Sequence, residues 1–322
     1  MVDHLAVMAQ QKRQIEMERA GGWLEAVQRW ARQKRPPVLP PSHSIGLALG
    51  GGFARGIAHV GVLRVFEQYQ VPVRYIAGVS AGAMVAAAYA SGATPDEIGK
   101  VGAAMRFTDV ARWCLSRMGL VASERMDLFL HKLLKNFRFE DMKIPLGIVA
   151  TDLASGAPVF FHGHGEVKPP IRASCSYPGL FQPVRHDGKL LVDGAMSMEV
   201  PAALLRRMGA TRVVSVHLPI QQLTGPGPSN MLQVVNRCFQ IMQARTEHEW
   251  RKDSDLVITP DVTGMEWDAF GSAEKLIQAG EIAALECIPG IKAWLDLGPA
   301  PNLKTKPVSA SRFPSGSSPA TA

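Results

Sequence analysis

The serine in Gly78-Val79-Ser80-Ala81-Gly82 stands where a strand pattern gives way abruptly to a helix pattern. Arg74-Tyr75-Ile76-Ala77 before it reads as the end of a buried strand. Ala83 to Ser91 after it reads as a helix that is rich in Ala and free of charge. So sharp a turn strains its central residue and exposes the hydroxyl at the sheet edge. Small residues are needed two places before and two after, because side chains there would collide. The chain has 30 glycines, so one such pattern is also compatible with an ordinary tight turn. Its neighbours in the sequence decide between the two.

About thirty residues upstream, Ser44 to Leu49 is an apolar run of strand length. Gly50-Gly51-Gly52, Phe53-Ala54-Arg55-Gly56 and a helical pattern from Ile57 to Tyr69 follow it. A glycine-rich turn between strand and helix bares backbone N–H groups beside the positive end of a helix dipole, which makes an anion site. Counted from Gly50 or Gly51, the spacing does not fit a dinucleotide-binding G-x-G-x-x-G. The Gly-Lys-Ser/Thr ending of a P-loop is missing. The remaining reading is an oxyanion hole, with the Gly51 and Gly52 N–H groups aimed at the charge that develops when Ser80 attacks an ester.

Gly50 to Gly56, Gly78 to Gly82 and Asp193-Gly194-Ala195 together resemble the three ordered motifs of patatin-like phospholipases. Ala150-Thr151-Asp152-Leu153 with Gly156, and Ala173-Ser174 through Pro178, Phe181 and Pro183, resemble that family's small bacterial members. The resemblance covers roughly residues 43 to 295. It implies a three-layer α/β fold, a mostly parallel central sheet with helices on both faces. It implies a lipid acyl hydrolase with Ser80 as nucleophile and Asp193 as its base, in a dyad without histidine. Gly51, Gly52 and Phe53 would form the oxyanion hole, supported by Gly50, Arg55, Gly56, Gly78, Gly82, Gly194 and Ala195. Neither metal nor cofactor is implied. Phe53 departs from several relatives, which carry a fourth glycine there. Its backbone N–H remains, so the hole is kept and narrowed.

The residues leave rivals open. Ser80, Asp193 and His217 run in the chain order of an α/β-hydrolase triad, although His217 falls near the end of a predicted strand, Arg212 to Leu218. His59 reads as a helix-face residue. Arg55 binds a lipid phosphate or ties down the glycine loop, and the structural role is favoured. Asp152 reads as a loop-ordering residue near the site. A lipid-sensing protein with little turnover is the alternative on this fold.

Composition narrows the setting. Cys114, Cys175, Cys238 and Cys287 are scattered, which suggests neither zinc nor a disulfide framework and suits a reducing compartment. A net charge of +7 without basic–aromatic blocks favours an anionic membrane face over nucleic acid. No secretory signal is legible. The uncharged stretch from residue 75 to 95 contains the serine turn and reads as buried strand and helix, not a membrane span. A cytoplasmic protein in peripheral contact with the inner membrane surface is expected, with a lipid as substrate.

Three segments are expected. Residues 1–42 form a basic helical extension ending in a Pro-rich linker. Within it Trp23, Leu24, Val27, Trp30 and Ala31 share a face suited either to an anionic bilayer or to packing on the main domain. Residues 43–297 form the catalytic domain, and residues 298–322 a disordered tail. Inside the domain a helix is predicted from Thr94-Pro95-Asp96-Glu97. An irregular helical region spans 105–140, with Phe107, Trp113, Leu115, Met118 and Leu120 lining a lipid entry or packing helices. Strands are predicted at Leu146 to Ala150 and Val159 to Phe161, then a helix at Pro170 to Ser176 and a hairpin from Val184 to Val192. A helix from Glu199 to Met208 precedes the strand carrying His217. A long helix from Met231 to Trp250, a strand from Leu256 to Thr259 and a last helix from Ser272 to Leu297 complete the domain.

Overall fold

The computed structural model describes residues 44–114, 116–219, 227–265 and 270–296. The expected N-terminal extension and C-terminal tail lie outside the described residues. In chain order the strands are β1 (Ile45–Leu49), β2 (Val73–Gly78), β3 (Arg112–Trp113), β4 (Val121–Ala122), β5 (Leu146–Asp152), β6 (Pro158–His162), β7 (Val184–His186), β8 (Lys189–Asp193), β9 (Arg212–Val216) and β10 (Leu256–Ile258). The helices are α1 (Ala58–Gln68), α2 (Ala81–Ser91), α3 (Pro95–Ala103), α4 (Phe107–Val110), α5 (Arg125–Leu133), α6 (Lys168–Ser174), α7 (Ala202–Met208), α8 (Met231–Arg251) and α9 (Ala273–Asp296).

Eight strands form one mixed sheet in the order β10-β9-β1-β2-β5-β8-β7, with β6 also paired to β5. The pairs from β10 to β5 are parallel, and those among β5, β6, β7 and β8 are antiparallel. Ile45, Leu47 and Leu49 of β1 are fully buried and belong to one apolar cluster, while Ala48 between them belongs to another. A strand covered on both faces needs an unbroken apolar run, and Ser44 to Leu49 supplies it.

One close approach fixes how α9 lies on α1. A Cβ on Gly61 would meet the Ile277 carbonyl at 2.0 Å, and one on Gly280 would meet the Ala58 carbonyl at 2.0 Å. The two backbones touch there, so neither position accepts a side chain. Arg64 anchors the contact at its rim through Asp96 at 3.0 Å and Glu281 at 2.9 Å.

The region 105–140 differs from the expected irregular helix. Four residues of helix are followed by the antiparallel hairpin β3–β4 and then by α5. The hairpin is held by the chain after α6, since Leu120 and Val121 both donate to the Leu180 carbonyl. Partners sixty residues away leave no trace in local periodicity. Phe107 packs against Phe53, Trp113 and Phe181, whereas Trp113, Met118 and Leu120 are exposed. Leu115 lies outside the described residues.

Candidate active site

Sheet register alone brings two of the predicted residues to one level. On β5, Ile148 pairs with Gly78, and Ala150, two residues on, pairs with Asp193. Strand β6 runs along Gly147 to Thr151. Because it occupies that whole edge of β5, β2 and β8 must share the other. β2 leaves this edge as β8 arrives, and Ser80 lies two residues beyond Gly78. Ser80 and Asp193 therefore stand on either side of the gap at Val149, and both line one cavity of about 260 Å³.

Ser80 has φ 54° and ψ −124°, a strained backbone for a residue with a side chain. Its hydroxyl makes no cap to the helix it precedes, α2. The turn is rigid because its glycines touch backbone. A Cβ on Gly78 would meet the Gly82 carbonyl at 2.3 Å, and one on Gly82 would meet the Leu49 carbonyl at 2.3 Å. The Ser80 N–H donates to the fully buried Ser174 hydroxyl at 2.8 Å, and Val79 N–H donates to Leu49 O at 3.1 Å.

Asp193 is 1% exposed. Its Oδ1 accepts the Ala195 N–H at 2.9 Å, its own N–H donates to Ser176 O at 3.0 Å, and its carbonyl takes the Thr151 hydroxyl at 2.9 Å. Burial pushes the carboxyl pKa up from the usual carboxylate range to about 7, while hydrogen bonds from Ala195 N–H and from the Ser80 hydroxyl pull it down. Gly194 is pressed against the β5 backbone, where a Cβ would meet Val149 O at 2.2 Å. Near neutral pH this carboxyl gains and loses a proton beside a serine hydroxyl.

The glycine loop caps the same cavity. Gly51, Gly52, Phe53 and Arg55 all line it. Gly50 N–H donates to Val216 O at 3.0 Å and Gly51 N–H to Glu199 O at 3.3 Å, while Gly52 N–H bonds to no described residue. Gly51 differs from the other motif glycines. A Cβ there would sit 3.6 Å from Ser80 Cβ and 3.7 Å from Ala195 Cβ, at ordinary contact distance. The space beside Gly51 is thus cavity, not packed protein. Gly56 has no such room, since its Cβ would meet Ala81 Cβ at 2.5 Å.

Residues 47–206 match the family model of the patatin-like phospholipases. The chain carries a patatin-like phospholipase domain. An uncharacterised NTE family protein of Mycobacterium tuberculosis is 32% identical over 180 residues, covering 55% of this chain and 49% of its own length. The human patatin-like phospholipase domain-containing protein 6 is 31% identical over 199 residues, 56% of this chain and 14% of that protein. The chain thus spans about half the length of the mycobacterial relative and a small part of the human one. Among solved structures, VipD from Legionella pneumophila aligns with a TM-score of 0.50 at 13% identity, over 78% of this chain and 67% of its own. That likeness concerns the fold.

The rival residues fall outside the Ser80–Asp193 pair. His217 Nε2 bonds to Glu199 Oε1 at 3.2 Å, and its ring packs on Trp250, so its described hydrogen bond goes to neither Ser80 nor Asp193. His59 lies on α1, as expected. It is fully buried beneath the glycine loop, and Nε2–H donates to the Gly50 carbonyl at 2.9 Å. Burial lowers its pKa to about 4, so the ring is neutral and acts as a peg for the loop. Arg55 is buried and donates to the Pro219 carbonyl at 3.2 Å, which ties the loop to the chain after β9. Asp152 orders the β5–β6 turn through Ala154 N–H and the Ser155 hydroxyl, and does not line the cavity. Sequence reasoning assigned no site role to Thr151, Ser174 or Ser176. Their roles rest on bonds that span 17 to 94 positions. Among the described residues, no group of three or more His, Cys, Asp and Glu is placed to hold a metal ion. No helix among the described residues is long and apolar enough to cross a membrane.

Proposed function

We propose that the protein hydrolyses acyl ester bonds of phospholipids or lysophospholipids through a Ser80–Asp193 dyad. One observation carries this reading: the buried Asp193 carboxyl and Ser80 line one cavity at the same break in the sheet, and burial there pushes the carboxyl pKa up to about 7. The match of residues 47–206 to the patatin-like phospholipase family model supports it. Ser80 Oγ attacks the acyl carbonyl as its proton passes to Asp193. The N–H group of Gly52 receives the developing oxyanion; the Gly51 N–H, expected beside it, is engaged with Glu199 O, and Gly51 is kept bare so that the oxygen can approach. The positive end of α2 adds to that field. Protonated Asp193 returns its proton to the departing alcohol oxygen. Water then attacks the acyl-enzyme, passing its proton through Asp193 back to Ser80 and releasing the fatty acid. The substrate is taken from an anionic membrane surface to which the basic residues of 1–42 attach the protein.

Hydrolysis of mixed-lipid vesicles by the purified chain tests this, with Ser80→Ala as the control. Fatty-acid release and fluorophosphonate labelling are expected for the wild type and both are expected to vanish in the variant. Labelling that survives in Ser80→Ala would move the nucleophile elsewhere. A wild type that binds vesicles without releasing acid would favour lipid sensing.

A further inference from the structure

Helix α8 packs on the domain through Phe239 against Tyr177 and through Trp250 against His217, and beside those residues it carries a row of amides. Gln233, Asn236, Gln240 and Gln243 recur at intervals of 3, 4 and 3, which places them on one stripe, and all four line the cavity opposite the glycine loop. Met231, Val234 and Ile241 lie on the opposite face, 72%, 46% and 39% exposed. An ordinary amphipathic helix keeps such amides on its solvated side, away from the residues that pack it. Here the amides face the cavity, so that wall is built for a polar occupant.

The hydrogen-bond partners narrow what that occupant is. Asn236 Oδ1 accepts the Tyr177 hydroxyl at 2.9 Å, and Gln233 Oε1 accepts Ser229 N–H and Oγ–H at 2.8 and 2.9 Å. Their amide N–H groups are left unengaged among the described residues. The side chains of Gln240 and Gln243 make no hydrogen bond there at all. Polar groups in a half-buried wall normally find partners. An amide offers a donor and an acceptor side by side, and a hydroxyl is its match, whereas a trimethylammonium group offers neither. Charge does not select the occupant. Among the described residues no lysine lines the cavity, the carboxylates that do are Asp193 and Glu199, and the Arg55 guanidinium donates to Pro219 O.

We propose that the amide face of α8 is a headgroup subsite that selects ester lipids with hydroxyl-bearing headgroups, phosphoglycerol or sugar, over choline. The inference rests on the hydrolase reading above for its substrate class. A site built to bond a hydroxyl discriminates against an analogue that lacks it.

The test uses the full chain and detergent mixed micelles of lipids with identical acyl chains carrying phosphoglycerol, galactosyl or phosphocholine headgroups. At least one hydroxyl-bearing lipid is expected to exceed the choline lipid in kcat/KM by about tenfold or more. Which of the two does so identifies the source of the hydroxyl. In a Gln240→Leu/Gln243→Leu variant the ratio is expected to fall towards one. If the double variant does not fold, Gln240→Leu alone is expected to lower the ratio several-fold. Equal or preferred turnover of the choline lipid, or a ratio unchanged in the folded variants, overturns the subsite. Binding of uncleavable diether analogues to Ser80→Ala separates the two readings. The same headgroup order in binding, with no ester cleaved by the wild type, would retain the subsite and remove the hydrolase.

Discussion

The cavity has two unlike walls. One is made by strand ends: the glycine loop after β1, the serine turn after β2 and Asp193 at the end of β8. Many positions there are set by backbone contact, as the 2.2–2.3 Å clashes awaiting a Cβ at Gly78, Gly82 and Gly194 make plain. The other wall is α8, a helix with a single buried residue, Trp250, among those whose burial is described. The reacting groups sit on the rigid wall and the amides on the loosely packed one. Chemistry needs atoms held within fractions of an ångström, and close backbone packing provides that. Recognition of a headgroup tolerates more play.

The largest expected effect is at Asp193. Asp193→Asn is expected to lower kcat by ~10²-fold to 10⁴-fold, the range for losing a general base. Its stability should move the other way. The folded pKa of about 7 lies above the ordinary carboxylate value, so folding disfavours the ionised form. Wild-type stability from this group is full below about pH 4 and is lost as pH rises towards 7. Asn carries no such cost, so the variant is expected to be more stable than wild type at pH 8, by on the order of 2–4 kcal/mol, and to lose that advantage below pH 4. Chemical denaturation at the two pH values checks it. A variant less stable at pH 8 would contradict the buried-carboxylate description.

Next come the glycines, which separate the packed parts of the strand-end wall from its open part. Gly82→Ala is expected to prevent folding, because its methyl would lie 2.3 Å from a carbonyl. Gly51→Ala is expected to fold with a melting temperature near that of wild type and to lose roughly 10²-fold in kcat, on the scale of blocking an oxyanion donor. Melting curves and kinetics on the same preparations decide it. Equal destabilisation by both would make Gly51 one more packing glycine.

Ser174→Ala comes after these. It removes the acceptor of the Ser80 N–H and is expected to reduce kcat several-fold more than it raises KM, with Ser174→Thr restoring part of the loss. Smallest is His217→Ala. It leaves Glu199 without its partner and is expected to cost about 1–3 kcal/mol of stability, with kcat within a few-fold of wild type.

The same contrast explains what was legible beforehand. The serine turn, the glycine loop and Asp193-Gly194 were readable because each places its own requirement on adjacent residues, a glycine where backbone must pass. Strands β1, β2, β5 and β9 were readable from apolar runs, and the β7–β8 hairpin from the pattern of Val184 to Val192. The hairpin β3–β4, the burial of His59 and the hold of Ser174 on Ser80 were not, since their partners lie elsewhere in the chain. The amide stripe of α8 was present in the sequence at helical spacing. Its meaning depended on which face the fold turns to the cavity.

The most direct test of the carboxylate base is the pH dependence of kcat/KM on a soluble ester, for wild type and His217→Ala. If Asp193 is the base, both enzymes lose activity on the acid side with a midpoint near 7, since below it the carboxyl is protonated and cannot accept from Ser80. A folded His217→Ala enzyme without that acid limb, or as inactive as Asp193→Asn, would make the imidazole the base and contradict the dyad.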